Sequence, residues 1–107
     1  MATAAATVAF LLEQTAEAGL SARPMFGEYG LYAAGKFVGV VCDDRLFLKP
    51  TEAGRALAPA APLAPPYPGA KPHLQLDADL WDDAEALVAL VRATAEALPA
   101  PRPKRKT

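Results

Sequence analysis

The chain has 107 residues, of which 52% are hydrophobic and 21% charged, and its formal net charge at pH 7 is −1. This length fits one small domain and excludes a deep substrate chamber, because a chain of about 100 residues buries only roughly two-thirds of the surface that it exposes when unfolded. The single cysteine excludes an internal disulfide, and no apolar stretch reaches the roughly 18 residues that cross a bilayer. We therefore expect a cytoplasmic protein that packing alone holds together.

The charge is distributed unevenly along the chain. Residues 1–101 hold seven Lys and Arg against twelve Asp and Glu, a formal charge of −5, whereas the last six residues include Arg102, Lys104, Arg105 and Lys106. This pattern predicts a folded domain over residues 1–98 and a basic, proline-rich, disordered tail over residues 99–107. The four cations of the tail are candidates for weak contact with nucleic acid.

Helical and extended patterns alternate in chain order. Apolar spacing predicts a first helix from Thr3 to Ala18, closed by Gly19, and then four strands. The strands are Arg23–Phe26, Gly30–Ala33, Phe37–Cys42 and Arg45–Lys49. Two-residue connections, Ala34-Gly35 and Asp43-Asp44, join the last three strands and predict an antiparallel meander.

The second half of the chain predicts a short helix, one strand and a long helix. Thr51 caps a helical segment that runs to Leu57, the six prolines between residues 59 and 72 predict a stiff connection without regular hydrogen bonding, and residues 73–77 alternate as a strand. An apolar stripe from Leu80 to Leu98 predicts the final helix, with Asp79 as its cap. The fold class is α+β, a two-layer sandwich in which an antiparallel meander is flanked by N- and C-terminal helices in the order α-β-β-β-α-β-α.

The residues that usually carry catalysis are few. The chain has one Ser, one His and one Cys, and Ser21, Cys42 and His73 lie in no nucleophile motif. We expect no catalytic site, no metal and no cofactor. Cys42 is better explained as a small apolar residue. The acidic residues from Asp77 to Asp83 are better explained as helix caps, because the glycine and the glutamate of a calcium loop are missing. A small-molecule enzyme is the least favoured alternative.

One predicted surface combines basic and aromatic side chains. In the last strand of the meander, period 2 places Leu46 and Leu48 in the core and the alternate residues on the other face. The candidate partner-binding residues are Arg23, Phe26, Tyr29, Tyr32, Arg45, Phe47 and Lys49. Such a surface stacks bases or docks a protein; the alternative is that Phe47 and the tyrosines pack beneath a helix and the charges form a solvated rim.

Several of these residues lie in runs that resemble a known family. The runs are Arg23-Pro24-Met25-Phe26-Gly27, Tyr29-Gly30-Leu31-Tyr32, Gly35-Lys36 and Asp43-Asp44-Arg45-Leu46-Phe47-Leu48-Lys49. They resemble the N-terminal domain of the TfoX/Sxy family over most of the chain. The resemblance implies a fold similar to that of type III secretion chaperones. It also implies a non-enzymatic regulatory function, because no catalytic residues are known for members of the family.

The resemblance also implies the kind of partner. Members named for the family are bacterial regulators of natural competence that act with a cyclic-AMP receptor type activator, and the larger ones carry a second, helical domain. We therefore expect a stand-alone domain that binds a protein partner, a transcription regulator being the class implied. Direct binding of nucleic acid through the tail and the aromatic-basic face is the alternative, and an exposed meander edge would allow a homodimer.

Overall fold

The computed structural model describes residues 4–25 and 28–99. Four helices and six strands make up the described chain. The helices are α1 (Ala5–Gln14), α2 (Glu52–Leu57), α3 (Ala78–Trp81) and α4 (Ala84–Ala97). The strands are β1 (Ser21–Met25), β2 (Glu28–Ala33), β3 (Lys36–Cys42), β4 (Arg45–Leu48), β5 (Leu63–Ala64) and β6 (His73–Leu76).

The first helix is shorter than its apolar pattern predicts. After α1 a 3-10 turn covers Ala16–Ala18, and Gly19 follows with a left-handed φ of +69°. The predicted termination at Gly19 is therefore confirmed, because glycine adopts this conformation without steric cost. Thr3, the predicted start, lies outside the described residues.

The strands form one antiparallel sheet in the order β1-β2-β3-β4-β6-β5. The predicted tight turns are confirmed: Ala34 and Gly35 have φ values of +54° and +76°, and Asp43 and Asp44 have +54° and +59°. A two-residue turn in which both residues have a positive φ has a twist that matches the right-handed twist of the two strands that it joins. The meander includes β1, so it has four strands rather than three.

A bulge in β3 changes which face its residues occupy. Tyr32 pairs with Phe37 and Leu31 pairs with Gly39, so Val38 has no partner on β2. A Cβ atom at Gly39 would overlap the carbonyl oxygen of Phe47 and lie 2.9 Å from the Cα of Leu48. Glycine at this position therefore lets β4 approach the bulge closely.

The proline-rich segment corrects one prediction. Leu63 and Ala64, between Pro62 and Pro65, pair with Leu74 and His73 as the short strand β5, and Gln75 donates a hydrogen bond to the Pro62 carbonyl. The expectation of a connection without regular hydrogen bonding is wrong. Proline lacks only the backbone N–H, and its carbonyl oxygen still accepts a hydrogen bond from the neighbouring strand. The segment therefore ends the sheet at one edge.

The final helix is also different from its prediction. The stripe from Leu80 is divided between α3 and α4, with Asp82 and Asp83 between them. Asp77 caps α3 and Asp83 caps α4, each accepting from a backbone N–H three residues on, so the prediction of Asp79 as the cap is wrong. The cap predicted at Thr51 is confirmed by a 2.9 Å hydrogen bond from the Gly54 N–H.

All four helices pack on one face of the sheet. The main core lies between these helices and the sheet, and it contains Leu11, Leu31, Val41, Leu46, Leu48, Leu74, Leu87 and Leu90. The prediction that Leu46 and Leu48 are core residues is confirmed, and so is the α+β two-layer sandwich. In the described part of the chain no helix is long and apolar enough to cross a membrane. The other face of the sheet, which we call the open face, carries the candidate site.

Candidate interaction surface

One row of side chains crosses the open face near one end of its strands. The guanidinium carbon of Arg23 lies 5.1 Å from the centre of the Tyr32 ring, and the Lys49 ammonium lies 5.0 Å from the centre of the Phe37 ring. The two ring centres are 5.4 Å apart with planes inclined at 58°. We call this row, Arg23–Tyr32–Phe37–Lys49, the cation–aromatic ladder. Each neighbouring pair makes a favourable contact, either cation–π or tilted aromatic.

The backbone register holds the ladder in place. Arg23 pairs with Gly30 on β2, and Tyr32 pairs with Phe37 on β3, so the four side chains come from neighbouring strands or the residue just after one. A Cβ atom at Gly30 would lie 3.1 Å from Cε1 of Phe37 and 3.5 Å from Cε1 of Tyr32. The absence of a side chain at Gly30 therefore leaves the space that both rings occupy.

Lys36 ties this end of the sheet to the last helix. Its Nζ donates hydrogen bonds of 2.7 Å to the Ala95 carbonyl and 2.9 Å to the Leu98 carbonyl. These carbonyls belong to the helix C-terminus, where a cation is favourable because the helix dipole is negative there. A shallow cleft of about 320 Å³ lies beside this contact, between the ladder and the end of α4.

The other end of the open face is covered. Phe47, Val40 and Cys42 form a second small core, with Met25, Phe37 and Ala64 packed against it. Phe47 is only 3% exposed, so the prediction that it belongs to an exposed surface is wrong. For Phe47 the predicted alternative, burial beneath a helix, also fails, because the helices lie on the opposite face. Residues from β1, β3 and β5 pack against the small core that contains this ring instead.

Cys42 lies beside an acidic cleft of about 420 Å³ that Met25, Glu28, Asp43 and residues 66–68 also line. Burial, followed by the negative charges of Glu28 and Asp43, raises the pKa of the Cys42 thiol. The thiol therefore stays protonated at neutral pH and is a poor nucleophile. This agrees with its interpretation as a small apolar residue.

The structure divides the predicted surface into several parts. It brings together Arg23, Tyr32 and Lys49. Tyr29 points to the helix side and packs against the main core, and Arg45 is exposed at the far end of β4, opposite Cys42. Phe26 lies outside the described residues, as do Arg102, Lys104, Arg105 and Lys106. Partner binding by any of these residues stays a prediction.

Sequence reasoning missed Phe37, Gly30 and Lys36 as parts of this surface. Ala33 and Lys36 flank the two-residue turn, so Tyr32 and Phe37, one residue further out on each strand, are cross-strand neighbours. That signal could have identified the pair of rings. Nothing in the sequence indicates that Lys36 reaches carbonyls 59 and 62 residues further along the chain.

Charge is distributed unevenly over the molecule. The helices and their flanking residues carry nine of the twelve acidic residues, all exposed, against only Arg55 and Arg92. The open face carries Arg23 and Lys49 on the ladder, whereas its other end combines Arg45 with Glu28 and Asp43 of the acidic cleft. An anionic partner is therefore attracted to the ladder end of the open face and repelled from the helix side.

The described residues offer no cluster of three or more His, Cys, Asp or Glu side chains that could hold a metal ion. Ser21, Cys42 and His73 lie on β1, β3 and β6, and His73 is engaged locally, with 2.8 Å between its Nδ1 and the Lys71 carbonyl oxygen. What the ladder offers is binding, since its cations can hold an anion and its ring faces an apolar group.

The comparisons with known proteins agree with this description. The family model of the TfoX N-terminal domain matches residues 12–98. A curated protein of Spirochaeta aurantia, described as an uncharacterized 12.7 kDa protein in the trpE 5′ region, is 43% identical over 106 residues, which cover 98% of this chain and 91% of the relative. Together they point to a non-catalytic regulatory domain. The chain therefore belongs to the TfoX N-terminal domain family, and this membership supports a regulatory kind of role.

Proposed function

We propose that this protein regulates by binding a protein partner on the open face of its sheet, at the cation–aromatic ladder. A transcription regulator is the class of partner that the family suggests. The observation that carries the proposal is the ladder itself, Arg23–Tyr32–Phe37–Lys49, which joins two cations and two ring faces on a face that none of the described helices covers. Arginine and aromatic residues are enriched in the energetically important centres of protein interfaces.

The two edges of the sheet are less suited to binding. The edge strand β1 contains Pro24, and the edge strand β5 has only two residues, between Pro62 and Pro65. Short strands and prolines at an edge oppose the addition of another strand. A homodimer formed through a sheet edge is therefore disfavoured, and we place the partner on the face.

Affinity capture from the source cell tests the proposal. The bait is the full chain, compared with the double variant R23A/K49A and with R55A/K71A, which removes two exposed cations away from the ladder. A protein recovered by the wild type and by R55A/K71A, but lost with R23A/K49A, supports the proposal. Equal recovery by all three baits, or no specific protein at all, contradicts it.

Direct binding of nucleic acid is the second candidate, because cations beside aromatic rings also suit a single strand. Binding of short single-stranded DNA should then weaken steeply with salt and fall on deletion of residues 99–107. Binding that does not change with salt, or no binding at low salt, would exclude this candidate.

A further inference from the structure

The two outer cations of the ladder have no carboxylate partner among the residues that the structure describes. Arg23 and Lys49 lie against rings, whereas Lys36 beside them donates to two helix carbonyls. Arg23 is exposed and Lys49 is half-buried. A cation held over a ring keeps most of its hydrogen-bonding capacity, so both groups remain available to an anion.

The spacing of the ladder limits what can bind across it. The contacts from Arg23 to Tyr32, from Tyr32 to Phe37 and from Phe37 to Lys49 span 5.1, 5.4 and 5.0 Å, so the two cationic groups lie at most about 16 Å apart. An extended peptide rises about 3.3 Å per residue, so its residues i and i+4 are about 13 Å apart and point to the same side. The side chain at i+2 then lies over the centre of the ladder.

The centre of the ladder suits an apolar side chain. Tyr32 and Phe37 are half-buried, so part of each ring stays accessible, and the tilt of 58° between them leaves a shallow V-shaped surface. Lys36 and the end of α4 close one side of this surface as part of the 320 Å³ cleft. One leucine or aromatic side chain would bury ring surface there without displacing either cation.

A peptide fits this surface better than a nucleic acid does. A strand of nucleic acid gains affinity from many phosphate contacts, and the ladder supplies only two available cations. The helices and their flanks carry nine acidic residues against two basic ones, which repels a long polyanion more than a short peptide with two charges.

We propose that the ladder recognises an extended acidic segment of the partner, with carboxylates at positions i and i+4 and an apolar residue at i+2. The carboxylate at one end contacts Arg23, that at the other end contacts Lys49, and the middle side chain covers Tyr32 and Phe37. The segment crosses the strands of the meander instead of pairing with an edge. This inference rests on the proposed function and specifies the chemistry of the partner.

The test is a titration of the full-length, ¹⁵N-labelled protein with synthetic peptides, followed by NMR. The probe is the peptide GSESLSESG. The controls are GSQSLSQSG, which lacks both charges, GSESLESSG, in which the charges are three residues apart, and an oligothymidylate of ten nucleotides. The protein variants are R23A, K49A and the control R55A, each checked for an unchanged fold by its spectrum.

The expected result is a set of amide shifts centred on positions 23, 32, 37 and 49 with the probe, and an affinity at least about tenfold weaker in R23A and in K49A but unchanged in R55A. The uncharged and three-residue-spaced peptides should bind at least tenfold more weakly. Equal binding of the probe and the uncharged peptide, shifts on α4 instead, or tighter ladder-dependent binding of the oligonucleotide would overturn the proposal.

This result separates the inference from the proposed function. If a partner is captured in a ladder-dependent way but the probe peptide does not bind, the acidic segment is wrong and the function stands. If no capture depends on the ladder, the proposed function fails, whatever the peptide does.

Discussion

The Nζ of Lys36 donates a 2.9 Å hydrogen bond to the carbonyl oxygen of Leu98, joining the hairpin turn between β2 and β3 to the end of the last helix. A second bond from the same Nζ reaches the Ala95 carbonyl. This contact holds α4 over the sheet and fixes the border of the ladder. Lys36 therefore has a structural role, which is to join the sheet to α4.

We expect Lys36→Met to destabilise the protein by about 1–3 kcal/mol, because it leaves two helix-terminal carbonyls without a charged donor. Methionine keeps the apolar length of the side chain, so the loss reports on the ammonium. Urea denaturation measures the free energy of unfolding. Lys71→Met, at an exposed position, is the control and should change it little; equal effects of the two variants would contradict this role.

The first helix is held at its start by a residue from the Asp43-Asp44 turn between β3 and β4. Oδ1 of Asp44 accepts hydrogen bonds from the Ala4 N–H at 2.8 Å and from the Thr7 hydroxyl at 2.9 Å. These two bonds lower the pKa of Asp44 below its usual value. Ala4, the cap position, makes no side-chain cap hydrogen bond, and Asp44 instead holds the start of α1 by binding the N–H of the cap residue and the side chain of Thr7.

The lowered pKa predicts how stability depends on pH. A carboxyl group whose folded pKa lies below its unfolded value stabilises the folded state above the unfolded pKa, near 3.9, and this contribution is lost as the pH falls through the folded pKa. Asp44→Asn should therefore lower the Tm at pH 7 and not at a pH below both pKa values. Asparagine tolerates the positive φ of +59°, so the turn is preserved.

Asp43→Asn, at a neighbouring φ of +54°, is the matched control for the turn. Its Tm at pH 7, measured by circular dichroism, should fall less than that of Asp44→Asn, because Asp44 is the turn residue that binds the start of α1. A difference between Asp44→Asn and wild type that stays constant down to the lowest pH would mean that the charge of Asp44 has no part in capping α1.

Two buried threonines near Gly54 have opposite hydrogen-bonding states. The Thr51 hydroxyl accepts from the Gly54 N–H, whereas the Thr94 hydroxyl is buried and has no hydrogen-bond partner among the residues that the structure describes. Thr51→Val should destabilise by about 1 kcal/mol through loss of the cap. Thr94→Val keeps the branched shape and removes an unpaired polar atom, so it should be neutral or stabilising by up to about 1 kcal/mol. Urea denaturation of both variants gives the comparison, and a marked loss in Thr94→Val would contradict it.

Two glycines of the sheet should differ in their tolerance of a methyl group. At Gly39 an added Cβ overlaps the backbone of β4. This strand cannot move without breaking its backbone hydrogen bonds to β3 and β6. At Gly30 the nearest atom is Cε1 of the Phe37 ring at 3.1 Å, and a side chain can shift. Gly39→Ala should therefore cost about 3 kcal/mol or more, and Gly30→Ala about 1 kcal/mol.

Thermal unfolding ranks the two glycine variants. The NMR spectrum of Gly30→Ala should in addition show shifted aromatic resonances for Phe37 and Tyr32, because both rings must move. A Gly39→Ala variant as stable as wild type would show that the close approach at the bulge in β3 is not required.

Much of the fold could be predicted because the decisive signals are local. The two hairpin turns, the left-handed Gly19 and the Thr51 cap each depend on a few adjacent residues, and period 2 alone placed Leu46 and Leu48 in the core. The same period places Tyr29 and Tyr32, three residues apart, on opposite faces, so their separation was accessible from the sequence as well.

The remaining features depend on contacts between distant segments. Phe47 is buried in a small core against which Ala64 and Met25 pack from other parts of the chain, and the bulge at Val38 changes the face of the residues that follow it. Lys36 likewise acts through α4. Alternation along one strand identifies the two faces but does not show which of them a distant segment will cover.

The central claim is that the partner binds on the open face beside the ladder. The most direct measurement is photo-crosslinking in the source cell, with p-benzoylphenylalanine in place of Ser21, which is exposed and opposite Tyr32, or in place of Ala89, which is exposed on α4. We predict a protein adduct from position 21 that disappears when R23A/K49A is added, and none from position 89. An adduct from position 89 alone, or one from position 21 that survives the double substitution, would contradict the claim.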